Sequence, residues 1–214
     1  MSCMRVCLCV CVCVCVWGYA LGVAGDFLSK VYAEPSLQAL FKLRCTPPVA
    51  CATQGGGAKQ LWSEMSLLLS DVQASSVQAA VTTKLTQLDS CAHAPPHFAQ
   101  LQHAPPLLAI SIQRPRSQSD ESVNLSKFPV PLQLQLHAKS GDHSYALASL
   151  VVFSGGLSSD GHYSAYTRVR RPPVGGFESG AFEWFSVNDD EVTQVPQEFA
   201  LSHTGVTLIL YARV

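Results

Sequence analysis

Three kinds of side chain in this sequence could do chemistry together: His162, the cluster Asn188-Asp189-Asp190, and the few cysteines that lie beyond the N-terminal region. His162 directly follows Gly161, and a glycine there leaves the backbone open to close approach by another chain. A histidine within reach of a thiol takes its proton and gives a thiolate–imidazolium pair. A side-chain oxygen accepting from the other ring nitrogen then fixes the tautomer. Asn188 can supply that oxygen, provided that the chain between the two residues folds back as a hairpin. The plainer alternative is a loop histidine and an ordinary Asn-Asp turn, which is what short motifs of this kind usually are.

The elements that must position these residues are strands. Tyr145 to Phe153 reads as one, followed by a glycine loop, then His162 to Val169, Phe182 to Val187, and Val206 to Arg213. Arg170 to Gly180 is the hairpin loop, and Arg168, Arg170 and Arg171 form its solvated edge. Upstream, Leu107 to Arg114 alternates between two prolines. Phe128 to Leu136 has strict period two, apolar on one face and Gln on the other, with prolines suited to an edge position at its start. Leu61 to Leu69 reads as a strand, and Ser75 to Leu85 as a serine-capped helix. The His- and Pro-rich stretch from Cys91 to Pro106 lacks periodicity and is expected to be irregular, with His97 and His103 as loop histidines. About six strands in the last hundred residues predict an α+β domain with a largely antiparallel sheet.

Composition narrows the class. With 214 residues the chain can bury a core, and 14 basic against 15 acidic residues leave no electrostatic footprint for nucleic acid. Of nine cysteines, Cys3, Cys7, Cys9, Cys11, Cys13 and Cys15 crowd the N-terminus, leaving Cys45, Cys51 and Cys91. An odd remainder is a poor disulfide framework, so the body is expected to be reduced, in the cytoplasm or nucleus.

Residues 1–25 stand apart. About twenty uncharged residues between Arg5 and Asp26 have the length of a membrane-spanning helix, and small residues near Ala20 or Ala24 suit a signal-peptide cleavage site. Neither accounts for the Cys-Val alternation from Cys9 to Val16, which is what a GT dinucleotide repeat encodes. A translated repeat of low complexity, a signal peptide and an anchor remain the three alternatives, and a membrane partner is expected only if this run is real. The fold is sought in residues 26–214.

The tyrosine-led strand, the glycine loop, Gly161-His162-Tyr163-x-x-Tyr166, then Trp184, Asn188-Asp189, Val192 and a terminal Leu210-Tyr211-Ala-Arg213 resemble the histidine box of the ubiquitin-specific proteases. These are papain-like cysteine deubiquitinases. Leu107 to Arg114 and Phe128 to Leu132 are similar to the family's palm segment. The resemblance implies a partial catalytic domain, with a fingers remnant at about residues 41–103 and a palm at about 107–214. It implies His162 as base, Asn188 as the third triad member, Asp189 as a supporting polar residue, and a slot for ubiquitin's Gly-Gly terminus lined by Gly155, Gly156, Gly161 and Tyr163. Ubiquitin or ubiquitinated proteins would be the partners, and thiol-dependent hydrolysis after the C-terminal glycine of ubiquitin the family reaction. Two departures accompany it. Phe153 stands where the family usually has a histidine, and the Asn-Thr-Cys segment that starts the family's nucleophile helix does not occur in this sequence. The chain alone is therefore expected to be silent, and a non-catalytic ubiquitin-binding module is the alternative. Cys45, Cys51 and Cys91, with His93, fall about where family members hold structural zinc. Their spacing is not that of a zinc knuckle, so buried thiols and no cofactor are expected, with zinc the alternative.

Overall fold

The computed structural model describes residues 40–41, 43–46, 61–62, 65–87, 100–115, 123–155, 161–170 and 182–214. Within these, β1 (Leu43–Thr46), β2 (Leu61–Trp62) and β4 (Gln100–His103) form a three-stranded antiparallel sheet in the order β2-β1-β4. The main sheet has eight strands: β3 (Met65–Leu68), β5 (Leu107–Gln113), β6 (Gln133–Ala138), β7 (Gly141–Gly155), β8 (Gly161–Arg170), β9 (Phe182–Asn188), β10 (Glu191–Val195) and β11 (Val206–Arg213). Its order is β10-β9-β8-β7-β11-β5-β3, with β6 also paired to β7. All of its pairings are antiparallel except that of β3 with β5. Three helices complete the described fold: α1 (Leu69–Ala74), α2 (Val77–Gln87) and α3 (Gln197–Ser202).

The mostly antiparallel α+β architecture is the expected one, and several local elements differ from expectation. Leu61 to Leu69 is not one strand: its first two residues join the small sheet, Met65–Leu68 joins the large one, and Leu69 opens α1. The serine-capped helix is present as expected, its cap being Ser76, whose Oγ accepts from the Ala79 backbone N–H at 3.0 Å. Gln100–His103, expected to be irregular, is a strand because β1 offers it a ladder. In the period-two run, Leu134 and Leu136 are buried and Gln133 and Gln135 exposed, as patterned. The strand begins only at Gln133, since Pro129 and Pro131 have no N–H to donate. Glu191–Val195 was not expected as a strand, nor Gln197–Ser202 as a helix.

Burial along the strands shows where the sheet is covered. In β7 only alternate residues are buried up to Leu147, whereas Ser149 to Val152 are buried without a break. β5 and β11 carry similar unbroken runs, the mark of strands covered on both faces. One face packs Leu134, Leu147, Leu150, Ile110, Ile209, Tyr145, Tyr166, Trp184 and Tyr211 with residues of α1 and α2. The other packs Val151, Ala165, Val187, Leu208, Leu210 and Ala109 with Phe41. At about 1.5–3 kcal/mol for each fully buried large aliphatic side chain, these two layers hold the sheet together. Tyr145 and Tyr211 reach carbonyls at the rim of the core, those of Pro105 and Pro131, at 2.5 and 2.8 Å. Burial pushes both phenols well above the usual tyrosine range, so they stay protonated and donating.

Candidate active site

Antiparallel pairing of β8 with β9 sets the start of one beside the end of the other, with Ala165 opposite Val187 and Tyr166 opposite Ser186. His162 is the second residue of β8 and Asn188 the last of β9. The hairpin therefore brings together two side chains that the sequence separates, and His162 Nε2 lies 2.5 Å from Asn188 Oδ1. An amide oxygen only accepts, so Nε2 is the donor in this contact and, in the neutral ring, Nδ1 is the basic nitrogen. That tautomer lets Nδ1 take a proton from an incoming acid while Asn188 holds the ring plane. Both residues are exposed, so the pair is open to whatever meets this end of the sheet.

Asp189 follows in the two-residue connection between β9 and β10, where Asn188 pairs with Glu191. Its φ of 55° is left-handed, a conformation that aspartate tolerates better than most residues. Among the described residues no hydrogen bond joins its carboxylate to His162 or Asn188. The turn presents Asn188, and Asp189 shapes the turn.

The residues expected to line a slot are placed less simply. Gly155 and Gly161 are opposite one another, as are Phe153 and Tyr163 one step further in, while His162 faces Ser154. Side chains alternate along a strand, so Phe153, Gly155, Gly161 and Tyr163 share one face of the hairpin and His162 is on the other. The Phe153 ring lies over the bare face of Gly161, where an added Cβ would come 1.8 Å from the ring, and it meets Tyr163 at 5.0 Å between centroids. Gly156 lies outside the described residues. Of the zinc candidates, Cys45 is in β1 opposite Leu101, and Cys51, Cys91 and His93 lie outside the described residues. No cluster of three metal-ligating side chains occurs among the described residues.

Residues 34–211 match the family model described as ubiquitin carboxyl-terminal hydrolase. The chain belongs to that hydrolase family. No curated protein sequence matches it. Among solved structures, it is similar to the yeast SAGA DUB module containing an Sgf73 mutant, with a TM-score of 0.54 and 18% identity over 82% of this chain and 39% of that one. It is also similar to the Ubp8/Sgf11/Sus1/Sgf73 SAGA DUB module bound to monoubiquitin, with a TM-score of 0.52 and 18% identity, covering 90% of this chain and 46% of that one. A third similar structure is the Saccharomyces cerevisiae PAN2 pseudoubiquitin-hydrolase, with a TM-score of 0.56 and 12% identity, covering 88% of this chain and 62% of that one. These likenesses fix the fold as that of the deubiquitinase-type domains. The chain spans less than two thirds of each.

Two features elsewhere in the sheet carried no signal in the sequence. His203, just after α3, stacks on Tyr166 at 4.2 Å between centroids and meets Phe199 edge-on at 4.9 Å. Its Nε2 is enclosed without a hydrogen-bond partner among the described residues. Burial, and secondarily the charge of Lys127, hold its pKa below the usual histidine range. Arg114, at the end of β5, donates through Nε to the Val206 carbonyl at 3.0 Å and through Nη1 to those of Asn124 and Ser126 at 2.7 and 3.0 Å. It thereby ties the segment before β6 to β11, and desolvation pulls its guanidinium down to about 10.

Proposed function

We propose that this chain is the palm portion of a ubiquitin-specific cysteine protease, with His162 as general base and Asn188 as its orienter. The observation that carries the proposal is the 2.5 Å contact between His162 Nε2 and Asn188 Oδ1 on adjacent strands. In the full reaction Nδ1 takes the proton of a cysteine thiol, and the thiolate adds to the carbonyl of ubiquitin's C-terminal glycine. The imidazolium then protonates the departing lysine amine. Water, deprotonated by the same imidazole, releases the acyl group as a carboxylate and regenerates the thiol. Ubiquitin is the expected partner, in keeping with a family member solved with monoubiquitin bound.

The nucleophile is what this sequence lacks. It contains no Asn-Thr-Cys segment, and Cys45, Cys51 and Cys91 lie in other contexts. The 214-residue chain alone is thus expected to bind ubiquitin without cleaving it. A ubiquitin carrying a C-terminal vinyl electrophile tests this directly: non-covalent binding with no adduct is the expected result. Covalent capture of the purified chain would overturn the silence, and absence of any binding would overturn the ubiquitin-facing role. The second reading, a binding module that does no chemistry, is supported by the same missing Asn-Thr-Cys segment. Sequencing of transcripts across the 5′ end separates the two, since an upstream exon encoding Asn-Thr-Cys identifies the enzyme.

A further inference from the structure

Phe153 sits at the meeting point of three glycines. An added Cβ on Gly161 would come 1.8 Å from its Cε2 and 2.1 Å from its Cζ, and one on Gly155 2.6 Å from its Cζ. On the backbone side, the Phe153 N–H donates to the Gly205 carbonyl at 2.9 Å, and a Cβ on Gly205 would fall 2.1 Å from the Phe153 carbonyl oxygen. At distances this short something must shift: the Phe153 ring at Gly155 and Gly161, and the Phe153 backbone at Gly205, where φ is also positive. The ring covers the paired glycines across β7 and β8 much as a cross-strand aromatic covers glycine in a designed sheet. Tyr163 closes its far side.

This clamp acts on the peptide that carries the histidine. Gly161 and His162 are consecutive, and Gly161 has no side chain of its own to resist rotation of that peptide. A ring seated on the Gly161 face restricts the rotation from the opposite side of the sheet, in addition to the ladder that pairs Gly161 with Gly155 and His162 with Ser154. The 2.5 Å contact with Asn188 requires the direction in which His162 leaves the backbone to be held closely. We propose that Phe153 is a positioning residue for the His162–Asn188 pair, acting through Gly161 without touching either member. This rests on the proposed role of His162 as base.

The test is nuclear magnetic resonance on the isotope-labelled 214-residue chain, reading the solvent exchange of the His162 Nε2 proton. Asn188→Ala assigns that signal by abolishing it while leaving the ring-current shift of the Gly161 α-protons in place. Phe153→Ala and Phe153→Leu are expected to speed exchange of the imidazole proton by about tenfold relative to the backbone amides of β8 and β9. Phe153→His, which keeps a flat ring over Gly161, is expected to restore the wild-type ratio. A general loosening of the hairpin would instead raise imidazole and amide exchange in proportion, and that result overturns the positioning role. So does wild-type exchange in a folded Phe153→Leu variant, which decides the matter if Phe153→Ala does not fold. Imidazole nitrogen shifts that place the neutral-ring proton on Nδ1 in the wild type, with the Gly161 shift intact, instead overturn the base–orienter pairing itself.

Discussion

Gly205→Ala and Gly141→Ala together separate backbone strain from crowding. Both glycines have positive φ, 72° at Gly205 and 119° at Gly141. Gly141 has open space around its missing Cβ, whereas at Gly205 that atom would lie 2.1 Å from the Phe153 carbonyl oxygen and 3.3 Å from Leu125 Cδ2. A left-handed alanine costs about 1–2 kcal/mol at Gly205. The clash is with backbone and cannot be relieved by a rotamer, so an overpacking cost of about 1–3 kcal/mol is added. Shifting Phe153 also weakens its N–H bond to the Gly205 carbonyl, worth about 0.5–1.5 kcal/mol. The total for Gly205→Ala is about 3–6 kcal/mol, against about 1–3 kcal/mol for the strain alone in Gly141→Ala. Urea unfolding followed by far-UV circular dichroism measures both, and the Gly205 variant is expected to melt on the order of 10 °C lower than the wild type. If Gly141→Ala costs as much as Gly205→Ala, the crowding around Phe153 is not what keeps Gly205 bare.

Other expectations concern buried polar groups. His203 has a folded pKa below its unfolded value of about 6.5, so the unfolded chain binds the extra proton first. Its contribution to stability is complete above about pH 6.5 and is lost as pH falls through that value toward the folded pKa. His203→Phe keeps the stack on Tyr166, and melting temperatures from pH 7.5 to 5 should fall less in this variant than in the wild type; equal slopes would refute the assignment. Tyr145→Phe strands the Pro105 carbonyl and is expected to cost about 1–3 kcal/mol by urea unfolding. Arg114→Lys cannot reproduce the fork to Val206, Asn124 and Ser126 and should cost about 2 kcal/mol, with faster amide exchange at Ser126.

The readable parts of the fold were those where one residue type decides the outcome. Leu134 and Leu136 between glutamines, and the runs at Leu107 and Val206, declare strands because alternation or unbroken apolar burial admits little else. His162 and Asn188 were legible as a pair because the strand breaks around them imply a hairpin. Partner-dependent elements were not. Gln100–His103 is a strand only because β1 lies alongside, and the exposed β10 exists because the turn at Asp189 folds it onto β9. Phe153 was visible as a departure from a pattern, but its contact with Gly155, Gly161 and Gly205 depends on a register that composition does not encode.

The position of β11 has a consequence for how the molecule is made. It follows the other described strands in the sequence, yet it lies in the middle of the large sheet, between β5 and β7. During synthesis, β5 and β7 must wait with open edges for a strand that leaves the ribosome after them, and Ala212 must find Leu107 across all of β6 to β10. Such late, non-local closure folds slowly and leaves two apolar edges able to pair with a neighbouring chain. The nascent protein is thus expected to depend on chaperones until Val206–Arg213 slides into place.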